Sequence, residues 1–251
     1  MNEPSQFPPP YEGGPEAKER LNAREAAAAF VASAHPDCLL AVLGGSAGRS
    51  ASAAPGSDLD VVVVERAEPD AFRRVTTAFG WVVEVFRLSP STYRDAFDEG
   101  IAAANPSLQR MLAEGTVIRS SAVGDRIVEE AKADLAFGPM PWSDAEIDYA
   151  RYMIANYLDD VVGALSRAER WFAAIRLIES IAEFALRANG RWSGDGKHLH
   201  QQLAAFSPAA AKGLEEAIEA LFGKDDDAPL VDLCLRTLEP FGGPLTIGYE
   251  G

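Results

Sequence analysis

The chain has 251 residues, 47% of them hydrophobic, enough for one large domain or two small ones, with two the expected division. Lys and Arg number 23 against 38 Asp and Glu, a formal charge of −15, which makes a poor general nucleic-acid binder because phosphate contacts need a basic surface. Composition also excludes collagen, disorder over the whole chain and a disulfide scaffold. Such a charge keeps a protein soluble first of all, and it suits cationic substrates second. The two cysteines, Cys38 and Cys234, sit in apolar contexts and are expected to be buried hydrophobes. There is no run of ~18 apolar residues to span a membrane. No basic segment followed by an apolar one opens the chain, so the cytoplasm is the expected compartment.

Residues 1–14 are rich in Pro, Gly and polar side chains and are expected to be a disordered tail. From Pro15 to Ala34 the alanine-rich, mixed-charge sequence favours helix, and His35-Pro36 ends it. Strand-like apolar runs follow at Cys38–Leu43, Leu59–Val64 and Trp81–Leu88, with a weaker one at Thr116–Arg119. Between the second and third, Pro69–Phe79 carries Phe72, Val75, Thr76 and Phe79 at helical spacing and predicts a helix. After Gly138-Pro139 the strand signal stops. Ser143 and Glu146 have capping-box spacing, and Ile147, Ala150, Ile154, Tyr157, Leu158, Val161 and Leu165 mark one face of a long helix. Further helices are expected over Arg167–Ala188, from Ser207-Pro208 to Gly223, and over Pro229–Leu238. The expected organisation is an α/β (α+β) domain with a small mixed sheet over residues 15–138 and an all-α helical bundle over 139–251.

The chemistry-bearing stretch is Leu43-Gly44-Gly45-Ser46, eleven residues, then Asp58-Leu59-Asp60, with Glu84 isolated in a later apolar run. A Gly-Gly-Ser turn after a strand lets backbone approach a ligand, and its hydroxyl and amides suit a phosphate. Asp58 and Asp60, two apart on a strand, share one face. Adjacent carboxylates repel, and Mg²⁺ binds few carboxylates together with substrate phosphate oxygens. Glu84, flanked by Val82, Val83, Val85 and Phe86, needs a partner if buried.

This pattern resembles the nucleotidyltransferase superfamily of polymerase-β-like fold, in its Gly45-Ser46 turn, the Asp58–Asp60 pair after Gly56-Ser57, and the third acid Glu84. The gap between Ser46 and Asp58, with its extra residues in Gly48–Pro55, is at the long end for that family. The two-domain layout resembles the antibiotic adenylyltransferases acting on aminoglycosides and lincosamides. The resemblance implies Asp58, Asp60 and Glu84 as metal and catalytic residues and Gly45, Ser46 and Ser57 as nucleotide-binding. It implies two Mg²⁺ ions and ATP or another NTP as co-substrate. A hydroxyl of a small-molecule acceptor would attack the α-phosphorus, and pyrophosphate would leave. Asp60 would lie nearer the hydroxyl, and Glu84 would be either a metal ligand or the general base. The helical domain of that group closes the cleft and supplies a basic residue, for which Lys197 in Gly194-Asp195-Gly196-Lys197 is the best match, ahead of Arg176 and Arg187. Its acids bind substrate amines, and Asp148, Asp159, Asp160, Glu179 and Glu183 are the pool. No nucleic acid or membrane partner is implied, and the state is monomer or homodimer. The alternatives are a protein-modifying, antitoxin-like transferase, disfavoured by the greater length of this chain, and a non-catalytic nucleotide-binding regulator.

Other signals are weak. His198-x-His200 lacks a third ligand, no Gly-x4-Gly-Lys-Ser/Thr is present, and Asp225–Asp227 is a loop charge run. Trp142, Trp171 and Trp192 are expected in the core.

Overall fold

The computed structural model describes residues 21–49 and 57–250. The expected tail at 1–14 and the start of the expected first helix lie outside them. Helix α1 (Ala23–Ala34) is capped by Asn22, whose side chain accepts the Glu25 amide at 2.9 Å, and it ends on His35 as expected.

Among the described residues one sheet of five strands forms: β1 (Leu40–Leu43), β2 (Leu59–Val64), β3 (Arg73–Ala78), β4 (Trp81–Leu88) and β5 (Thr116–Ser120). Its order is β3-β4-β2-β1-β5. β2 and β4 are parallel, while β1 runs antiparallel to β2 and β5, and β3 antiparallel to β4. The valine run of β2 is apolar throughout because both faces are covered. Val61 and Val63 pack with Phe30 and Val31 of α1. Val62 and Val64 face the other way, toward Phe97, Leu108, Leu112 and Ile127. Those four come from helices α3 (Tyr93–Ala102), α4 (Ser107–Glu114) and α5 (Ala122–Phe137), which the sequence pattern did not single out; a short helix, α2 (Gly45–Arg49), precedes them.

The segment 69–79 corrects the expected helix. Residues 73–78 form β3, paired with β4 from Arg73 opposite Phe86 to Ala78 opposite Trp81. Val75, Thr76 and Thr77 are β-branched and favour strand. Phe79 and Gly80, with φ of 51° and 79°, make the two-residue connection that joins twisted antiparallel strands. That turn outweighs the helical spacing of those four residues, three of which, Phe72, Val75 and Phe79, are exposed.

The chain divides into two compact units, Met1–Glu99 with Ser107–Ala136, and Gly100–Pro106 with Phe137–Gly251. The second is helical: α6 (Asp144–Gly163), α7 (Arg167–Arg187), α8 (Lys197–Phe206), α9 (Pro208–Lys224) and α10 (Ala228–Leu238). Ser143 and Glu146 form the expected capping box, and Ser166 with Glu169 form a second. Leu177, Ile181, Phe184, Leu203, Leu221 and Leu238 build the core, with Cys234 inside it. Cys38 and Cys234 are buried thiols, and burial pushes the Cys234 thiol up to about 12. No helix among the described residues is long and apolar enough to cross a membrane.

Candidate active site

β2 begins one residue after Asp58, and Asp60 is its second residue. Asp60 lies on the face of Val62 and Val64, in the position where that apolar row reaches the strand end. The parallel pairing sets Glu84 of β4 directly opposite Asp60, so register alone places two carboxylates side by side. Asp58 joins them: one carboxylate oxygen from each of Asp58, Asp60 and Glu84 lies within 4.8 Å of the others. Burial grades across the group, with Asp58 exposed, Asp60 intermediate and Glu84 only 8% exposed.

The Gly-Gly turn is built against this cluster. The Gly44 amide donates to the Asp60 carbonyl at 2.8 Å, tying the turn to β2. Gly45 has φ of +60°, and a Cβ there would lie 2.0 Å from Asp60 Oδ2. Only glycine fits both the backbone and the carboxylate. Ser46 is exposed on α2, and Ser57 is half-buried just before Asp58. The extra residues expected to alter the phosphate loop fall largely at 50–56, outside the described residues.

Three carboxylates this close are destabilising without a compensating charge. The donor set, all oxygen, fits a hard divalent cation such as Mg²⁺. Part of the compensation is internal: Arg73 of β3 donates from Nε to Glu84 Oε1. Sequence reasoning missed Arg73 because its segment was expected to be helical. The available signal was the Phe79-Gly80 turn between two strand-forming runs.

No protein-family model and no curated protein matches this chain. Among solved structures it is similar to a nucleotidyltransferase-like protein from Exiguobacterium sibiricum 255-15, at 15% identity and a TM-score of 0.47, over 86% of this chain and 73% of that one.

The remaining expected residues belong to the helical unit. Lys197 is exposed, and it is the first residue of α8 rather than part of the expected loop. Arg187 is corrected as a phosphate-binding candidate. It is 5% exposed, donates to the Met140 carbonyl at 2.8 Å and stacks over Trp142, so it is a core residue. Arg176 is exposed and ion-pairs with Glu179. Of the acid pool, Asp148 pairs with Arg151, and Asp159 and Asp160 are exposed on α6. Glu179 and Glu183 line a cavity of about 380 Å³, joined by Asp195 and floored by Ile178, Leu199 and Leu214. Glu183 is exposed at the cavity wall. Burial pushes its carboxyl above the ordinary carboxylate range, Arg187 opposes this, and Asp195 and Glu179 add to it.

Proposed function

We propose that this protein is a nucleotidyltransferase that moves a nucleoside monophosphate, AMP from ATP in the expected case, to a hydroxyl of a small molecule. The observation that carries the reading is the cluster of Asp58, Asp60 and Glu84 on adjacent parallel strands, beside a glycine turn that has no room for a side chain. These three carboxylates would hold the divalent cation, Mg²⁺ being the natural fit. When bound, that cation supplies charge stabilisation to the phosphoryl oxygens. In the reaction the acceptor oxygen forms a bond to the α-phosphorus, the bond to the α–β bridging oxygen breaks, and pyrophosphate leaves. Glu84 is nearly buried, whereas Asp60 is half-exposed. An incoming hydroxyl therefore reaches Asp60 more readily than Glu84, and we assign Asp60 the hydroxyl proton in addition to its place in the cation site, and Glu84 the ligand role alone. Gly45 and Ser46 are assigned to the triphosphate. A cationic acceptor, such as an aminoglycoside, is the finer reading, supported by the net charge and by the acidic cavity of the helical unit.

Thermal melting with each of the four NTPs, with and without Mg²⁺, tests the reading. A nucleotide at ~100 times its dissociation constant stabilises the fold by about 2.7 kcal/mol. A Mg²⁺-dependent shift in wild type that Asp58→Asn/Asp60→Asn loses is the expected result. No shift with any NTP, alone or with an aminoglycoside and lincosamide panel, refutes it. Pyrophosphate release with that panel separates a transferase from a nucleotide-binding regulator.

A further inference from the structure

The partner of Glu84 lies on the strand that the sequence pattern hid. Among the described residues β3 is an edge strand, paired with β4 alone. Arg73 pairs across to Phe86, and Glu84 lies two residues before Phe86 on the same face. A diagonal cross-strand neighbour is within reach of a long side chain. The guanidinium accordingly crosses the Phe86 ring, 5.5 Å from its centroid, and its Nε meets Glu84 Oε1. Glu84 is 8% exposed, while the Arg73 side chain is 61% exposed. The cation thus approaches a buried carboxylate on a stem that can leave into solvent.

We propose that Arg73 is a counter-cation and positioning residue for Glu84 of the acid cluster. It orients Glu84 before a divalent cation binds, and it competes with that cation for the carboxylate. The inference rests on the nucleotidyltransferase reading of the same site, and it sets the cation affinity of that site without nucleotide. Deleting a unit positive charge beside the cluster tightens divalent-ion binding about three- to tenfold, the order that screened Coulomb repulsion between the two cations gives at a partly solvated site.

The test is a Mn²⁺ titration followed by the electron-spin resonance signal of the unbound ion, on the full chain without nucleotide. Arg73→Gln is expected to bind Mn²⁺ about three- to tenfold more tightly than wild type. Arg73→Lys, which keeps the charge, is expected to stay near wild type, and the gap between Gln and wild type should narrow as salt rises. A role confined to β-sheet structure would move neither the salt dependence nor the Lys–Gln difference. Equal or weaker Mn²⁺ binding by Arg73→Gln, in a protein whose binding is still abolished by Asp60→Asn, overturns this inference alone. Mn²⁺ binding that Asp58→Asn/Asp60→Asn leaves unchanged overturns the reading of the site beneath it.

Discussion

Replacing Gly45 with alanine tests whether the turn and the acid cluster are one device. Two costs arise at this position. The first is conformational: a residue with a Cβ at φ +60° is disfavoured by roughly 1–2 kcal/mol. The second is a collision of the new Cβ with Asp60, 2.0 Å from Oδ2 and 3.0 Å from Cγ. Either β2 or the Asp60 side chain must give. β2 is flanked by Leu59 and Val61, both 0% exposed, and its backbone at Asp60 accepts from Gly44. Shifting a packed core costs about 1–3 kcal/mol, whereas turning a half-exposed carboxylate off its preferred rotamer costs ~0.5–1.5 kcal/mol. The side chain therefore yields, and Asp60 turns away from Asp58 and Glu84. The expected phenotype is mild in stability, a fall of about 2–8 °C in Tm from the conformational cost. It is severe in Mn²⁺ binding, with a loss of about tenfold or more as one of three ligands is displaced. Gly190→Ala is the matched control. Its φ is +65° with nothing within 4 Å of the new Cβ, so it carries the conformational cost without the collision. If Gly45→Ala binds Mn²⁺ as wild type does, or if Gly190→Ala loses binding to the same degree, Gly45 does not hold Asp60 in place and the coupling is refuted.

Two further outcomes follow from other parts of the chain. Phe79→Gly removes a bulky residue from φ 51° at an exposed turn; after the extra chain entropy of glycine, a net gain of about 0.5–1 kcal/mol is expected by thermal melting, and a loss would mean that the ring packs more than its exposure indicates. Glu183 has a raised folded-state pKa, caused first by burial. Its ionisation therefore opposes folding fully above the folded-state value and not at all below the unfolded one. Glu183→Gln should raise Tm at neutral pH, and the gain should vanish as pH falls through that window. A gain that persists unchanged in acid would contradict the assignment.

The legible parts of the sequence were those where one signal had one structural meaning. β2 was read at its observed limits because a run of four valines is too stiff at χ1 and too apolar for anything but a doubly covered strand. α6 was legible because its cap and its apolar period agree. Glu84 stood out because a carboxylate among valines demands a partner, whatever the tertiary structure. Pro69–Phe79 failed because four apolar residues mimicked a helix period, while the decisive signal lay in two turn residues with positive φ. The helices α3 and α4 were missed because their apolar faces are short, and α8 because its glycine-flanked start resembles a loop.

The same limit explains which half of the acid site was visible. Asp58 and Asp60 are local: two residues apart where the chain enters β2, they share a face whatever the strand pairs with. The meeting of Asp60 with Glu84 depends on β2 and β4 being parallel neighbours in one register, and a slip of one residue would turn Glu84 to the opposite face. Arg73 depends on a further register, that of β3 on β4. Each added pairing places another charge in the cluster, and each is invisible to a single sequence until the strand itself is recognised. An edge strand makes the last of these the easiest to perturb, since among the described residues it has one paired neighbour rather than two. A substitution that loosens β3 while leaving β2 and β4 intact should therefore act on cation affinity through Arg73 before it acts on the fold.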